Sequence, residues 1–355
     1  MSTPSRPKRP PATPPRIAVI GAGIAGIACA RTLMQGGCEV EVFEKSRGAG
    51  GRMATRRTEF GGFDHGAQYF TVRDVRFARA LQTASALVAP WPARTVQVMD
   101  ESGRVVAAAP PRDETHWVAT PGMNALVKHW AEPVRLHLQT QVTRIEADRL
   151  APARWQLQTE GPGAPSQVHA DFDAVLLAIP SVQALQLLRA SQQLPDLQAQ
   201  IDQVEVAPCW TLMLAFPQAA QGQPFGPHWQ VARGAHHRVA WLARESSKPG
   251  REAIERWTVH ASPDWSARHL EDDAPRVQAK LLRAFTEITG ILASPTHAQV
   301  HRWRYAQTLK PLGQSHAWDR QAGLGVCGDW CLGRRVEDGF VSGLELALAV
   351  LGRKH

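Results

Sequence analysis

The sequence predicts an α/β fold with two domains, and three observations support this prediction. The chain has 355 residues, which is more than one hydrophobic core usually serves. A β-branched run, Ile17 to Ile20, precedes apolar residues at helical spacing and a second short strand, Val40 to Phe43. Residues 206–260 alternate like successive strands of an antiparallel sheet. The strand–helix–strand pattern indicates a Rossmann-like domain. The alternation over residues 206–260 indicates an α+β domain built on the antiparallel sheet.

The first fifteen residues are predicted to form a disordered tail. The stretch MSTPSRPKRPPATPPR is rich in proline, has no acidic residue and shows no apolar periodicity. The formal net charge of the chain is +8. Much of it lies at the two ends, which leaves about +2 for the body, so no nucleic-acid partner is expected. The basic residues at the ends are Arg6, Lys8, Arg9, Arg16, Arg353 and Lys354.

The remaining composition favours a cytoplasmic protein with no membrane partner. No apolar run of about 18 residues occurs, and no apolar run follows the basic residues of the tail as a signal peptide would require. The five cysteines form no paired framework, which suits a reducing compartment. Cys327 and Cys331 are spaced C-x3-C, but no second pair or nearby histidine completes a metal site, so no metal is expected.

The segment RIAVIGAGIAGIACARTLMQGGCEVEVFEK predicts a dinucleotide-binding βαβ unit. Gly21 permits the turn after the first strand, Gly23 lets backbone amides approach a pyrophosphate, and Gly26 lets the helix pack closely on the strands. Glu44 ends the second strand, where its carboxylate can bind an adenosine ribose and would repel a 2′-phosphate. FAD or NAD is therefore favoured over NADP. The residues expected in this part of the cofactor site are Gly21, Gly23, Ile24, Ala25, Gly26, Glu44 and Lys45.

Two further segments indicate the cofactor by resemblance. EKSRGAGGRMATRR, which begins at Glu44, and LGVCGDWCLGRRVEDGFVSGLELALAVL, much later, resemble the two FAD signatures of the flavin amine oxidase superfamily. The resemblance implies a Rossmann-like (GR2-type) domain that binds FAD non-covalently, with Arg52 at the pyrophosphate and Asp329 at the ribityl or pyrophosphate region. It also implies cofactor contacts from Gly51, Arg52, Met53, Gly66, Ala67, Gln68, Val142, Gly328, Asp329, Val336, Glu337 and Gly339.

Asp338 departs from the superfamily pattern, which commonly has glycine at this position. The last helix is predicted to begin near Glu337, with its N-terminus directed at the flavin. A carboxylate beside flavin N1 would oppose the negative charge of the reduced ring. We therefore expect Asp338 to turn outward and to cap the helix.

Within the superfamily the chain resembles bacterial renalase-like proteins most. The resemblance lies in FDHGAQYFTVRD, WLARESSKPGR, WTVHASPDWSARHLE and HRWRYA, spread over residues 63–306. It implies that an isomeric dihydronicotinamide dinucleotide, 2- or 6-dihydro-NAD(P), gives a hydride to flavin N5 and that O2 takes the electrons, so that NAD(P)+ and H2O2 form. Positioning of the hydride donor would supply most of the catalysis, and no general base is required.

The order of these segments predicts a discontinuous domain arrangement. Residues 16–72, 116–190 and 318–355 are expected to form the FAD-binding domain. Residues 73–115 and 191–317 are expected to form the substrate domain on the antiparallel sheet.

His65, Gln68 and Tyr69 are the predicted catalytic residues, because the resemblance places their segment along the flavin ring. Asp64 is expected to be a buried partner of a nearby amide or arginine. Several arginines would suit a phosphorylated substrate and would disfavour a cationic amine. They are Arg56, Arg57, Arg233 and Arg244.

Two other functions remain open from the sequence. The first is a flavin amine oxidase or desaturase that acts on an amine or a polycyclic hydrophobic substrate. Many amine oxidases keep a lysine bonded through water to N5, and Lys310 is the one plausible match, whereas Lys248 is expected in a turn or in recognition of a substrate phosphate. The second is a nucleotide-binding protein without turnover.

Overall fold

The protein is described by a computed structural model over residues 14–92, 96–109, 114–219 and 225–352. The predicted tail, residues 1–15, lies almost entirely outside these ranges. Within them the α-helices are α1 (Ile24–Gln35), α2 (Val75–Gln82), α3 (Asn124–Ala131), α4 (Ser181–Ala190), α5 (Pro195–Ile201), α6 (Pro263–Arg268), α7 (Ala274–Thr289), α8 (Asp329–Leu332) and α9 (Val336–Val350). Short 3-10 helices cover Gly51–Met53, Ser85–Leu87 and Glu245–Ser247.

The strands of the described residues, in chain order, are β1 (Arg16–Ile20), β2 (Glu39–Glu44), β3 (Thr55–Thr58), β4 (Gly61–Asp64), β5 (Val88–Pro90), β6 (Val96–Met99), β7 (Val105–Ala109), β8 (Trp117–Ala119), β9 (Arg135–Leu138), β10 (Gln141–Ala147), β11 (Trp155–Gly161), β12 (Ala164–Phe172), β13 (Ala174–Leu177), β14 (Glu205–Phe216), β15 (Val231–Gly234), β16 (Val239–Arg244), β17 (Glu255–Ala261), β18 (His297–Lys310), β19 (Ala317–Asp319) and β20 (Leu324–Val326).

A six-stranded sheet forms the Rossmann-like domain, in the order β19-β20-β13-β1-β2-β9. All of its neighbouring strands are parallel except β19 and β20. Ile17, Val19 and Val42 belong to the same apolar cluster as residues of α1, α3 and α9, so helices cover one face of the sheet. Ile20 and Phe43 pack with residues of β10 and β11, so the three-stranded sheet β10-β11-β12 covers the other face.

A seven-stranded sheet forms the second part of the fold, in the order β18-β14-β17-β16-β15-β6-β7. Its pairs are antiparallel except for β15 with β6. One of its faces packs against α7 through Leu281 and Phe285. The predicted fold class, a Rossmann-like domain joined to a sheet-rich α+β part, is confirmed.

Helices α1 and α9 come unusually close because glycine lies at their contact. A methyl group added at Gly343 of α9 would lie 2.0 Å from the backbone oxygen of Ala25 in α1. Such a distance is far inside van der Waals contact, so only glycine permits this approach. No helix among the described residues has the length and apolar character to cross a bilayer.

Candidate functional site

The carboxylate of Glu44 joins the end of β2 to the turn that precedes α1. Its Oε2 accepts a hydrogen bond from Ala22 N at 2.8 Å, and its Oε1 accepts one from Ser46 N at 2.8 Å. These two bonds fix the carboxylate, which is 8% exposed, at the carboxyl end of the parallel strands. Each carboxylate oxygen can accept a second bond, so Glu44 can still accept from a ribose hydroxyl. Lys45, next along the chain, is exposed.

The N-terminus of α1 has open space beside Gly23 and no capping side chain among the described residues. A methyl group added at Gly23 would meet nothing within 4 Å, whereas one added at Gly26 would lie 2.0 Å from the oxygen of Gly21. In the described structure no side chain caps α1 and no acidic residue lies in its first turn. Its first backbone N–H groups therefore lack side-chain acceptors, and uncapped groups of this kind are the ones that bind phosphate at helix N-termini.

Arg52 and Asp329 join the two predicted FAD signatures directly. The guanidinium of Arg52 donates to both carboxylate oxygens of Asp329, at 2.9 and 2.5 Å. Backbone bonding extends this connection, because Arg52 O accepts from Ala67 N at 2.8 Å. Arg52, predicted at the pyrophosphate, and Asp329, predicted at the ribityl or pyrophosphate region, thus lie side by side, and the bidentate pair fixes the direction of the guanidinium.

The start of α9 faces the same region, and its acidic residues are engaged with backbone. Asp338 Oδ2 accepts from Arg334 N at 3.0 Å and from Arg335 N at 2.9 Å, so it caps the helix as expected. It is nevertheless buried and does not turn outward. Glu337 Oε1 accepts from Arg73 N and Asp74 N, both at 2.6 Å. Val336 is half-buried and Gly339 is buried in the first turn.

His65 is buried, with 4% of its surface exposed, in an aromatic environment. Its ring stacks on Trp303 at 5.2 Å and meets His301 edge-on at 4.8 Å. Its backbone oxygen accepts from Thr211 Oγ1 at 3.1 Å and from Trp303 Nε1 at 2.9 Å, whereas its Nδ1 has no hydrogen-bond partner among the described residues. Burial, followed by the charges of His301 and Arg56, lowers the pKa of His65 to about 3. The imidazole is therefore neutral at pH 7.

Gln68 anchors its own loop. Its Nε2 donates to the backbone oxygen of Asp64, and its Oε1 accepts from Lys248 Nζ at 3.1 Å. Since both ends of the amide bind protein, this side chain fixes the backbone of Gly66 and Ala67, which are half-buried and belong to the segment predicted to run along the flavin.

Lys248 lies at the centre of a buried group of charges that we call the Lys248 network: Asp64, Glu245, Lys248 and Arg251. Its ammonium is 3.2 Å from Asp64 Oδ2 and 3.0 Å from Glu245 Oε2, and none of these side chains is exposed. The lysine directly follows the 3-10 turn Glu245–Ser247, as expected. The alternative role in binding a substrate phosphate was wrong, because the ammonium is enclosed and already paired.

Asp64 is the buried partner of an arginine, as predicted. Its Oδ2 accepts from Arg251 Nη2 at 2.6 Å, and its Oδ1 accepts from Met123 N at 2.9 Å. Burial opposes the ionisation of Asp64, but Lys248 and Arg251 outweigh it and lower its pKa to about 2. Burial raises the pKa of Glu245 despite the nearby ammonium of Lys248. The network thus carries a firmly ionised carboxylate at the base of the His65 loop.

Tyr69 belongs to an aromatic group at the other end of the same loop. Its ring stacks on His116 at a centroid distance of 3.9 Å and lies 5.6 Å from Trp241 and 6.5 Å from Trp91. Burial raises the pKa of the Tyr69 phenol, while the positive charge of Arg233 acts in the opposite direction. The structure therefore brings His65, Gln68 and Tyr69 to one loop with three different environments.

A row of side chains on the seven-stranded sheet faces this loop. Residues in register across neighbouring strands share a face of the sheet, and one such set is Arg233, Trp241, His260, Thr211 and His301, which we call the cross-strand row. The row faces the loop, because Thr211 Oγ1 donates a hydrogen bond to His65 O. Burial lowers the pKa of both His260 and His301 to about 4, so their imidazoles are neutral at pH 7.

Sequence reasoning missed most of this row. His260 and Trp241 lie on different strands, so only the register of the sheet brings them together. The sequence does indicate one feature of this region: His301 and Trp303 are two residues apart in a predicted strand, so their side chains share a face. The four arginines divide between locations. The charge of Arg56 acts on His65, and that of Arg233 acts on Tyr69. Arg57 is exposed, and its charge acts on Lys128. Arg244 lies on the opposite face of the sheet, 3.1 Å from Glu255.

The neutral state of His65 gives a testable pH dependence. Its pKa in the folded protein, about 3, lies below the ordinary value of 6.5. The unfolded chain therefore takes up a proton first as the pH falls, and stability present above pH 6.5 is lost toward pH 3. We expect His65→Gln to flatten the fall of the unfolding free energy between pH 6 and 4 by about 1.4 kcal/mol per pH unit.

Urea unfolding at several pH values measures this slope. His228→Gln is the control, because His228 is exposed, and it should leave the slope unchanged. If the slope is equal in His65→Gln and in the wild-type protein, folding does not lower the pKa of His65.

The structure thus joins a Rossmann-like domain, whose helix α1 has no side-chain cap at its N-terminus within the described ranges, to a sheet that faces the following loop. The chain belongs to the family of flavin containing amine oxidoreductases, whose sequence pattern matches residues 108–351. The pattern of the NAD(P)-binding Rossmann-like domain matches residues 19–82. The expected superfamily and the expected FAD cofactor are confirmed.

Solved structures with the same fold include two oxidases. A putative protoporphyrinogen oxidase from Exiguobacterium sp. 255-15 superposes with a TM-score of 0.73 at 14% identity, over 96% of this chain and 99% of the other. Cyclohexylamine oxidase from Brevibacterium oxydans IH-35A gives 0.71 at 14% identity, with the same shares covered. At this identity the likeness shows the fold alone.

One curated relative matches over a short segment. Hydroxyneurosporene desaturase from Cereibacter sphaeroides is 41% identical over 61 residues, which are 17% of this chain and 12% of the desaturase. The match thus spans about an eighth of that relative.

Proposed function

We propose that the protein is a renalase-like oxidase of isomeric dihydronicotinamide dinucleotides, 2- or 6-dihydro-NAD(P), with O2 as the electron acceptor and with NAD(P)+ and H2O2 as the products. Bound FAD would supply the hydride acceptor at its N5 atom and the route by which two electrons reach O2. The remaining work falls to the side chains of this chain, which bind the substrate, orient it and exclude water.

We propose that the predicted cofactor residues hold FAD in the order of the fold. The N-terminus of α1 would bind the pyrophosphate, Glu44 the ribose, and Val142 of β10 the adenine. Arg52 Nη1 also donates to Ala306 O at 3.3 Å, and the N–H group on its Nε would be available to a phosphate. The start of α9 would face the flavin ring, with Glu337 contributing backbone only, since its carboxylate is occupied by Arg73 N and Asp74 N.

The observation that carries the substrate proposal is the composition of the cross-strand row. Exposed Arg233 stands at one end, half-buried Trp241 follows, and neutral imidazoles complete the row. A guanidinium binds phosphate well, a planar indole stacks on a planar ring, and a neutral imidazole can bond a carboxamide. An anionic substrate with one planar ring would match all three.

The placement of lysine further favours this substrate over an amine. Lys310 lies at the exposed end of β18, nine residues from His301, which is roughly 30 Å along a strand. Lys248 is enclosed in its ion network. The charges that do reach the loop, those of Arg56 and Arg233, would repel a cationic amine.

An amine oxidase or desaturase is the second candidate, and one observation favours it. Trp241, Trp303 and the neutral histidines form an uncharged lining that would also accept an apolar amine or a polycyclic substrate. Cyclohexylamine oxidase, a protein of the same fold, is named for such an amine.

Anaerobic reduction of the flavin distinguishes the candidates. The purified yellow protein is mixed with 6-dihydro-NAD or with cyclohexylamine, and the flavin absorbance is followed. We expect bleaching by the dinucleotide. Arg233→Gln should raise the concentration needed for half-maximal rate about tenfold, the loss of one charge-assisted bond. Arg268→Gln, which changes an exposed arginine of α6, is the control. Bleaching by the amine alone would establish the second candidate.

A further inference from the structure

A second group of polar side chains lies in the Rossmann-like domain, apart from the cross-strand row. Glu41 of β2, His137 of β9 and His169 of β12 each direct one ligand atom toward the others, and these atoms all lie within 4.8 Å of one another. They come from strands of two different sheets. Within the described residues, these three alone form a cluster of this kind.

The two imidazoles are held in place by aromatic packing. The ring of Phe43 stacks on His137 at a centroid distance of 4.6 Å, with an interplanar angle of 7°, and meets His169 edge-on at 4.9 Å. His169 Nε2 is buried and has no hydrogen-bond partner among the described residues. A buried nitrogen without a partner is costly, and a bound ligand would remove that cost.

Only one oxygen of the Glu41 carboxylate is paired with arginine in the described ion pairs. Its Oε1 accepts from Arg16 at 2.9 Å and lies 3.4 Å from Arg135, whereas its Oε2 lies 2.7 Å from His137 Nε2. Arginines that hold the far oxygen fix the carboxylate in the way outer-shell partners do at metal sites.

The surrounding charges do not oppose a cation. The ion pairs connected to Glu41 join three arginines to four carboxylates, so they leave one net negative charge. These groups are Arg16, Arg135 and Arg154 with Glu39, Glu41, Asp171 and Asp173.

We propose that Glu41 Oε2 and one nitrogen each of His137 and His169 form a binding site for a divalent transition-metal ion such as Zn2+, with solvent as the fourth ligand. Two imidazoles and one carboxylate are a donor set that Zn2+ accepts, at distances of about 2.0–2.2 Å. Movements of less than a few ångströms would bring the three donors to these distances. The ion would join β12 of the three-stranded sheet to β2 and β9 of the Rossmann sheet and would stabilise their packing.

Calorimetric titration with Zn2+ tests the proposal on the full-length FAD-loaded protein after removal of metals by a chelator. His169→Gln removes a ligand and no hydrogen bond at Nε2, and His137→Gln removes the second imidazole. His228→Gln is the control, since His228 is exposed and lies outside the cluster. We expect one Zn2+ per chain in the wild-type protein and the control, and at least about tenfold weaker binding in both other variants.

No Zn2+ binding by the wild-type protein at micromolar concentrations would overturn the proposal, as would unchanged affinity in both variants. If a variant does not fold, X-ray absorption at the zinc edge on the wild-type protein decides. Two imidazoles with oxygen ligands support the site, whereas a sulfur ligand places the ion at a cysteine and overturns it. Either result leaves the proposed oxidase function untouched, because FAD content and flavin reduction are measured separately.

Discussion

Replacing Lys248 by methionine is expected to lower the free energy of unfolding by about 3–5 kcal/mol, the cost of removing one partner from a buried ion pair. Lys248 is 2% exposed, and its ammonium lies between Asp64 and Glu245. Methionine fills a similar volume but leaves the two carboxylates facing each other without an opposite charge from this position. Urea unfolding of the purified protein at pH 7 measures the loss.

The controls separate charge from packing. Lys310→Met changes an exposed lysine and should alter stability by less than about 0.5 kcal/mol. In the double variant Lys248→Met with Glu245→Gln, part of the loss should return, because Asp64 keeps its ion pair with Arg251 whereas Glu245 has lost its cation, and glutamine removes that charge. If Lys248→Met is as stable as the wild-type protein, the Lys248 network does not support the fold.

Two glycines of the first turn should respond to alanine in different ways. Gly23 has φ −76° and ψ 179°, a conformation that alanine adopts, and a methyl group there meets nothing within 4 Å. We expect Gly23→Ala to keep the stability of the protein without cofactor but to bind FAD at least tenfold more weakly, since the methyl group enters the space proposed for the pyrophosphate.

Gly26→Ala is expected to weaken both folding and FAD binding. Its methyl group would lie 2.0 Å from the backbone oxygen of Gly21, so helix and strand must move apart at a cost of about 1–3 kcal/mol or more. Titration of the cofactor-free proteins with FAD and urea unfolding give the two quantities. Wild-type FAD affinity in Gly23→Ala would place the pyrophosphate elsewhere.

The parts of the site that could be predicted from the sequence are those encoded in consecutive residues. The turn from Gly21 to Gly26 and the acid that ends β2 lie within one βαβ unit, so their spacing alone predicts that they lie close together. Asp338 illustrates a partial success: its capping bonds to Arg334 and Arg335 are local and were expected, but its burial depends on packing that a local pattern does not contain.

The parts that could not be predicted depend on contacts between distant segments. Lys248 is 184 residues from Asp64, and nothing in SSKPGR shows that an ammonium will be enclosed there. The cross-strand row arises from the register of five strands, and a shift of one residue would direct each of its side chains to the other face. The need for glycine at position 343 likewise could not be predicted, because it depends on the packing of α9 against α1.

The ion pair of Arg52 with Asp329 bears on how the protein is made. These residues are 277 positions apart, and β20 and α9, which complete the Rossmann-like domain, follow nearly all of the rest of the chain. During translation, Arg52 is added to the chain long before Asp329. The proposed FAD site therefore cannot be complete before β20 and α9 have been synthesised, so we expect a nascent chain to bind FAD only after these elements have formed.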